Sequence, residues 1–378
     1  MADLAPKVEK CNLAAMVETL TPTQRKVYDW VAEKLSKGEQ IQACICGPAG
    51  TGKSYLLRAI VELMKQVANI PVAKLGTTGV SAVVVSGTTV HNFFRMDINC
   101  HCYLEKGTVD HKIVRDTAIL MIDEFSLLEY KVFHAMDRIT RQASIPKNRQ
   151  SPFGGKHIIL IGDPAQLPAI DKDIYDSWLW KHFDILMLKE VKRQEDDAFA
   201  SILNKVRLGI VDEEVTMVLN SRVVDNDDEI DLSCGCIIVA LRCERDHWND
   251  KFLQNLEGEE HVFEAIDTDG NGNPLSATDQ EKVKIYHRER LPDKLVLKVG
   301  ARVILLKNID VKNKWVNGTL ATVVRILGDC IFIKHMKEGT ILPLPRFRQN
   351  LTHRAWTGTT VRQQFPLVLG WAVTVHKV

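Results

Sequence analysis

The segment 47–54, with the sequence GPAGTGKS, constrains the fold of this chain more than any other stretch. It fits the G-x-x-x-x-G-K-[ST] phosphate-loop pattern. The apolar run 42–46 that precedes it favours a buried parallel strand, and apolar residues recur at helical spacing after it. A strand, a glycine-rich turn and a helix N-terminus together aim backbone N–H groups at an anion. The segment therefore predicts a nucleoside triphosphate site in an α/β domain.

The residue types in this loop divide the work of binding. Lys53 is expected to reach the β- and γ-phosphates, and the hydroxyl of Ser54 is expected to bind Mg²⁺. The predicted cofactors are therefore ATP and Mg²⁺. The residues expected to wrap the phosphates are Gly47, Pro48, Ala49, Gly50, Thr51 and Gly52.

Three further motifs suit nucleotide hydrolysis. An apolar run ends in Asp123, expected to hold Mg²⁺, and Glu124, expected to orient and deprotonate the attacking water. In the loop GDPAQLP, Gln166 is predicted to bond the γ-phosphate or the water. Arg193 has the character of an arginine finger. Each motif also has a simpler interpretation when taken alone. Asp123 and Glu124 fit the surface end of a strand, the loop of Gln166 fits a plain connection, and Arg193 fits an exposed ion-pair partner.

Short apolar strands alternate with amphipathic helices from residue 42 to about 188, which predicts a mostly parallel sheet with helices on both faces. Between 291 and 347, short strands separated by Gly and Asn turns predict a small antiparallel, barrel-like insert. The predicted strands are 43–46, 72–75, 118–122, 157–161, 185–188, 236–240, 296–305, 319–326 and 331–335, and the predicted helices are 20–34, 198–208 and 244–256.

Composition narrows the class of protein. Hydrophobic residues make up 45% of the 378 residues and charged residues 26%, as in soluble globular proteins with two or three domains. The net charge of +1 favours neither nucleic acid nor a membrane, although a neutral protein can carry a locally basic groove. Nine cysteines without a secretory segment predict reduced thiols inside the cell. Cys100, Cys102 and His111 leave an irregular zinc site as the alternative to ordinary packing.

Taken in chain order, these motifs resemble those of superfamily-one DNA helicases of the Pif type (petite integration frequency), relatives of the RecD helicases. The resemblance spans residues 20–378 and is far more specific than any one motif. The matching segments are LTPTQ at 20–24, the phosphate loop, GTTG at 76–79, GTTVHNFF at 87–94, DEFS at 123–126, PFGG at 152–155, GDPAQ at 162–166, RQ at 193–194, VNGT at 316–319, QFPL at 364–367 and TVHK at 374–377.

The resemblance implies two RecA-like lobes with parallel sheets, an SH3-like β-barrel inserted in the second lobe, ATP between the lobes and single-stranded DNA across their top. It implies an ATP-dependent DNA helicase that moves 5′ to 3′ and unwinds duplexes in repair, recombination or telomere maintenance. The implied domains are an N-terminal segment 1–19, a first lobe 20–188 with a compact insert at about 92–116, a second lobe 189–290, the barrel 291–350 and a return segment 351–378.

The same resemblance assigns binding residues. Gln24 matches the glutamine that reads adenine. The positions that match DNA-contacting segments are Thr78, Gly79 and His91 in the first lobe and Asn317, Gly318, His376 and Lys377 in the second. Plain turns also explain the Thr-Gly and Asn-Gly pairs, and a turn is compatible with the DNA role. The implied partners are single-stranded and forked duplex DNA, with no membrane, for a monomer in the nucleus or, alternatively, the mitochondrion.

The sequence departs from the family pattern at its end. In the family, His-Lys continues through Ser-Gln-Gly and a Thr to an arginine-bearing motif, whereas this chain stops at Val378. A chain truncated at its C-terminus is therefore expected. Two alternatives stay open: a non-translocating protein that binds nucleotide and nucleic acid, or a fragment of a larger replicative or transposon protein.

Overall fold

The computed structural model describes residues 13–68, 70–97, 99–190, 197–224, 232, 235–286, 291–310, 312–353 and 356–375. The helices are α1 (Leu13–Glu18), α2 (Pro22–Ser36), α3 (Lys53–Ala68), α4 (Gly79–Val84), α5 (Val90–Phe93), α6 (Val109–Asp116), α7 (Tyr130–Ala143), α8 (Asp197–Arg207), α9 (Glu213–Asn220), α10 (Arg242–Asn255) and α11 (Ala277–Tyr286). The strands are β1 (Gln42–Cys46), β2 (Val72–Gly76), β3 (Thr88–Thr89), β4 (Ile119–Asp123), β5 (His157–Gly162), β6 (Asp184–Met187), β7 (Ile237–Val239), β8 (His261–Glu264), β9 (Ile266–Asp269), β10 (Lys294–Leu297), β11 (Arg302–Leu305), β12 (Leu320–Leu327), β13 (Cys330–His335), β14 (Ile341–Pro345), β15 (Phe347–His353), β16 (Trp356–Gln364), β17 (Leu367–Leu369) and β18 (Ala372–Thr374).

The chain divides into two compact units, Met1–Val223 and Val224–Val378. Helices α8 and α9 belong to the first of them. The lobe boundary expected between residues 188 and 189, like the other implied domain boundaries, stays a prediction.

The first unit is built on a six-stranded sheet in the order β3-β2-β4-β5-β1-β6, and all of its pairings are parallel. Strands β1 and β4 are buried along their whole length because helices cover both faces of the sheet. Phe133 of α7 packs in the core on one face, and Leu56 and Ile60 of α3 pack in the core on the other. The predicted α/β class is confirmed, as are the five predicted strands of this sheet, with ends shifted by one or two residues.

Helix α2 begins at a capping box. The Thr21 hydroxyl accepts a hydrogen bond from the Gln24 N–H at 3.3 Å, and Gln24 Oε1 accepts one from the Thr21 N–H at 2.9 Å. Pro22 follows the cap, where its missing N–H costs nothing. The predicted capped helix is confirmed, over Pro22–Ser36.

The second unit is mostly antiparallel where it is described. A five-stranded sheet runs in the order β14-β13-β12-β11-β17 around a core that includes Val303, Trp315 and Ile333. The antiparallel texture expected over 291–347 is confirmed, whereas closure into an SH3-like barrel stays a prediction. The single strand predicted over 296–305 is wrong: β10 and β11 are separate, because Gly300 turns the chain at φ +90°.

The second unit contains a small α/β element formed by β7, α10 and β18. Strand β18 pairs in parallel with β7, and α10 packs beside both. The buried Asn249 side chain of α10 donates to the Ala372 carbonyl at 3.0 Å and accepts from the Trp371 and Ala372 N–H groups. These three hydrogen bonds hold α10 against the chain at 371–372, which is more than 120 residues away in sequence.

Candidate nucleotide-binding and catalytic site

The phosphate loop leaves the carboxyl end of β1 and enters α3 at Lys53, as predicted. Gly52 has φ +73°, and a Cβ there would lie 2.5 Å from the Gln24 side-chain nitrogen. Gly50 has φ +84°. Only glycine adopts these conformations without strain, so the backbone itself shapes the loop. The Ser54 side chain is exposed in the first turn of α3.

The Lys53 ammonium lies over the loop. Its Nζ donates to the Gly47 carbonyl at 2.8 Å and to the Pro48 carbonyl at 3.0 Å. Burial lowers the pKa of Lys53, and the nearby carboxylates of Asp163 and Glu124 oppose that shift. The lysine is thus held among acids at the mouth of the loop, where phosphate oxygens could replace the two carbonyls as partners.

Two carboxylates end β4 beside Lys53. Burial, reinforced by the charge of Glu124, raises the pKa of Asp123 to about 6. Burial also raises the pKa of Glu124, against the opposing effect of Lys53. The Glu124 backbone has φ +54°, in the left-handed region, and the Thr77 hydroxyl donates to its carbonyl at 3.1 Å. Non-glycine residues rarely adopt this conformation except where the surroundings enforce it, often at functional sites.

The raised pKa of Asp123 leads to a stability prediction. Folded protein keeps a proton on Asp123 that the unfolded chain releases above pH 3.8, so this group lowers the free energy of unfolding as pH rises from 3.8 to about 6. In Asp123→Asn, we expect this loss to disappear, leaving the variant more stable at neutral pH by up to roughly 3 kcal/mol. Urea unfolding at several pH values without Mg²⁺ or nucleotide measures it, with exposed Asp29→Asn as control. A stability difference that does not grow with pH would contradict the expectation.

A buried ion pair that the sequence did not predict borders the same site. Asp163 has no exposed side-chain surface, and Arg207 at the end of α8 donates to its two carboxylate oxygens at 2.6 Å each. Burial alone would raise the pKa of Asp163, but the hydrogen bonds from Arg207 and the Ala165 N–H lower it. Arg207 therefore fixes the loop that carries Gln166, whose exposed side chain reaches Asp163 at 3.4 Å.

Removing that arginine should be costly. Arg207→Met leaves the Asp163 charge buried without its partner, so we expect a loss of about 3 to 5 kcal/mol in the free energy of unfolding. Arg207→Lys should recover only part, because an ammonium lacks the planar fork. Urea denaturation measures both. The double variant Asp163→Asn/Arg207→Met should be more stable than Arg207→Met; an equal or lower stability would show that the charge is not the cause.

Gln24 lies against the phosphate loop. Its Nε2 donates to the Thr51 carbonyl at 2.8 Å, while its Oε1 serves the helix cap. The side chain is only 3% exposed. The structure thus places Gln24 at the nucleotide site, with both ends of its amide bonded to protein, and its adenine-reading role stays a prediction.

The predicted DNA-contacting residues of the first unit lie at the edge of the sheet where the phosphate loop also lies. Thr78 and Gly79 follow β2, and His91 follows β3. The Thr78 side chain caps α4 by accepting from the Ser81 N–H at 3.1 Å. These residues therefore lie at the same edge of the sheet as Asp123 and Glu124. This edge is formed by the carboxyl ends of the parallel strands, where ligands bind in such sheets.

The predicted second-lobe residues are only partly described. Asn317 donates its N–H to the Asn308 side chain at 2.8 Å, and Gly318 is an exposed turn residue with φ +93°. The plain turn predicted at this pair is therefore present, and its DNA role stays a prediction. Arg193, His376 and Lys377 lie outside the described residues.

The described chain offers no support for zinc. No group of three His, Cys, Asp or Glu side chains within the described ranges could hold a metal ion. Cys100 is buried, and Cys102 donates to the Phe94 carbonyl at 3.4 Å. Both cysteines therefore serve packing and local hydrogen bonding.

A parallel sheet, a phosphate loop between β1 and α3, and paired carboxylates ending β4 define a phosphate-loop nucleoside triphosphatase. The chain belongs to the PIF1-like helicase family, whose model matches residues 19–217. A second model, the 2B domain of DNA helicase Pif1, matches residues 287–326. The resemblance to Pif-type helicases inferred from the motifs is confirmed, whereas the relation to RecD helicases and the truncation stay predictions.

Individual proteins similar to this chain are also Pif1 helicases. The chain is 28% identical over 95% of its length to the ATP-dependent DNA helicase Pif1 of Bdellovibrio bacteriovorus, covering 79% of that protein. It is 32% identical over 98% of its length to the ATP-dependent DNA helicase PIF1 of Mus musculus, covering 56%. Its fold is similar to the crystal structure of Pif1 helicase from Candida albicans, with a TM-score of 0.73, 25% identity, and coverage of 95% of this chain and 86% of that one. The chain thus spans little more than half of its mouse relative.

Proposed function

We propose that this protein is an ATP-dependent DNA helicase that couples ATP hydrolysis to movement along single-stranded DNA and to duplex unwinding. One observation supports this most directly: Lys53, Asp123 and Glu124 gather around the phosphate loop of a chain that belongs to the PIF1-like helicase family. The proposed substrates are single-stranded and forked DNA, with 5′ to 3′ movement, in repair, recombination or telomere maintenance.

The residues of the first unit suit distinct steps. Lys53 and the loop N–H groups would bind the phosphates of ATP, and Glu124 would accept the proton of the attacking water. The loop anchored by Arg207 would hold Gln166 near the reacting phosphate. Arg193 is proposed as a further cation for the transition state.

Ser54 and Asp123 are the proposed Mg²⁺ ligands. A hydroxyl and a carboxylate are hard oxygen donors of the kind that Mg²⁺ prefers. Burial favours the protonated form of Asp123, so a cation that replaces the proton would fit this donor set. Bound Mg²⁺ would neutralise phosphate charge as it develops.

The proposed DNA path uses backbone and hydroxyl contacts that do not read sequence. Thr78, Gly79 and His91 would contribute from the first unit. The proposed residues of the second unit are Asn317, Gly318, His376 and Lys377. Backbone and phosphate contacts of this kind suit a protein that must step along any sequence.

The proposed setting is inside the cell, in the nucleus or the mitochondrion, with the protein acting as a monomer. Every described cysteine is a free thiol, which suits a reducing compartment. None of the described helices has the length and apolar character needed to cross a membrane.

The test is ATP hydrolysis measured with and without oligothymidylate, followed by unwinding of forks that carry either a 5′ or a 3′ single-stranded tail. We expect DNA to stimulate hydrolysis and only the 5′-tailed fork to open. Hydrolysis that ignores DNA would refute coupling. Stimulated hydrolysis without unwinding of either substrate would show that DNA binding is coupled to hydrolysis but would refute strand separation.

A further inference from the structure

The first unit carries a basic cavity away from the nucleotide site. It encloses about 510 Å³ between the segment after α5, helix α6 and the end of α7. The basic side chains in its lining are Lys106, His111, Arg141 and Arg149, and its apolar lining includes Leu104 and Ile139. A cavity with an apolar floor and cationic walls fits a ligand that is flat and apolar in one part and anionic in another.

A second cavity of about 370 Å³ continues this basic surface. It shares Lys106, His111 and Arg149 and adds Lys112 and Arg115 to the lining. Among the residues that the structure describes, no carboxylate lines either cavity. Within the described chain, neither Lys106 nor Arg149 forms an ion pair with a carboxylate. The surface formed by the two cavities, here called the basic groove, therefore holds cationic groups that remain available to an anion.

An exposed tryptophan extends the basic groove. Arg141 lines the first cavity, and its guanidinium lies 5.6 Å from the ring centroid of Trp178. Asp137 also binds Arg141, at 2.8 Å, which fixes the guanidinium in place. Trp178 is 50% exposed, and the rings of His134 and His182 lie 6.4 and 6.1 Å away. An exposed aromatic ring beside cations is the arrangement on which bases of single strands stack.

The groove lies at the edge of the sheet opposite the phosphate loop. Helix α6 ends at Asp116 just before β4, and α7 ends at Ala143 before β5. Lys156, just before β5, donates to the Arg115 carbonyl at 2.9 Å, which ties the end of α6 to the start of β5. The cavity residues 115 and 141–149 thus sit where the strands begin, whereas Thr78 and His91 follow the ends of strands.

We propose that the basic groove and Trp178 bind a second stretch of single-stranded nucleic acid, separate from the strand that Thr78, Gly79 and His91 would contact. Phosphates would pair with Lys106 and Arg149, and bases would occupy the apolar floor and the face of Trp178. An acidic peptide is the competing occupant. The apolar floor and the exposed ring favour a nucleobase, since carboxylates need only the cations.

The proposal is tested on the full chain without nucleotide, using short oligothymidylate that carries 4-thiothymidine. Photocrosslinked peptides are identified by mass spectrometry, and binding is titrated over a range of salt concentrations. We expect crosslinks in the Trp178 peptide as well as near Thr78 or His91, and two classes of binding site. Crosslinks confined to the Thr78 and His91 segments would overturn the proposal.

Two variants separate stacking from charge. Trp178→Ala should weaken the second class about tenfold, and Trp178→Phe should restore most of it. Lys106→Gln/Arg149→Gln should reduce its logarithmic salt slope by roughly 1.4, the value for two lost phosphate contacts. The matched control Lys37→Gln/Lys65→Gln removes the same charge from exposed positions at the C-cap of α2 and on α3 and should change neither. Equal effects in the control would refute a specific groove.

Two further probes distinguish the occupant. An abasic deoxyribose-phosphate oligomer carries the charge of DNA without bases, and polyglutamate carries the charge of an acidic peptide. We expect oligothymidylate to bind the second class about tenfold more tightly than the abasic oligomer. Polyglutamate that binds as tightly as oligothymidylate, and competes with it, would overturn the nucleic-acid assignment in favour of a peptide.

Discussion

Lys53→Ala is expected to abolish ATP hydrolysis, with a loss of at least about a hundredfold to a thousandfold in turnover, the usual effect of removing one preorganised charge donor. In the structure, Lys53 Nζ lies 2.8 Å from the Gly47 carbonyl, so it stands at the mouth of the loop. No other lysine lies in the loop to replace it. Steady-state phosphate release with saturating oligothymidylate measures the loss.

Lys65→Ala is the matched control, because the exposed Lys65 lies at the other end of the same helix, where it pairs with Glu62 at 3.3 Å. This control should keep turnover near that of the wild type. Burial lowers the pKa of Lys53, which means that its charge is partly desolvated and that alanine should not prevent folding. Circular dichroism checks this. DNA-stimulated turnover in Lys53→Ala would contradict the assignment of the phosphate loop as the site of ATP hydrolysis.

Glu124→Gln should reduce hydrolysis by about a hundredfold to ten-thousandfold while leaving nucleotide binding intact, since the amide cannot accept a proton but keeps the shape. Burial raises the pKa of Glu124. Below that raised pKa the group is protonated and inactive as a base, so the wild-type rate should climb as pH rises through it. In Glu124→Gln, this acidic limb should vanish.

Single-turnover hydrolysis across pH, with a fluorescent ATP analogue to measure affinity, tests the role of Glu124. The variant Glu62→Gln serves as control, because Glu62 is a half-buried carboxylate on α3 that pairs with Lys65. An acidic limb that persists unchanged in Glu124→Gln would assign the base to another group. A parallel loss of affinity would point to a structural role instead.

The sequence predicted those parts of the site that are continuous in the chain. Lys53 and the Asp123–Glu124 pair lie in motifs where a strand runs directly into its functional residues, so periodicity and glycine spacing were sufficient. Five of the six strands of the parallel sheet were predicted for the same reason, because buried parallel strands are continuous apolar runs; the two-residue strand β3 is too short to give such a run.

Other features depend on contacts distant in sequence. Arg207 and Asp163 are 44 residues apart, and an arginine near the end of a helix gives no local signal of a buried partner. The basic groove combines the ends of α6 and α7 with the segment after α5, and a local excess of positive charge of this kind does not show in a net charge of +1. The single strand predicted over 296–305 was wrong although Gly300 lies within it. Apolar residues on both sides of this glycine were interpreted as one strand.

The amide of Gln24 has a consequence beyond its place beside the loop. One end of this amide closes the first turn of α2, and the other holds the Thr51 carbonyl. The nitrogen also lies 3.4 Å from the Gly52 carbonyl, so the loop carbonyls face its N–H groups, whereas the oxygen keeps a second lone pair. An adenine that donated its N6–H to that lone pair would leave the helix cap in place, but its N7 would compete with the loop carbonyls for an N–H. Base recognition through Gln24 would then be coupled to the conformation of the Thr51–Gly52 turn and not to the helix start.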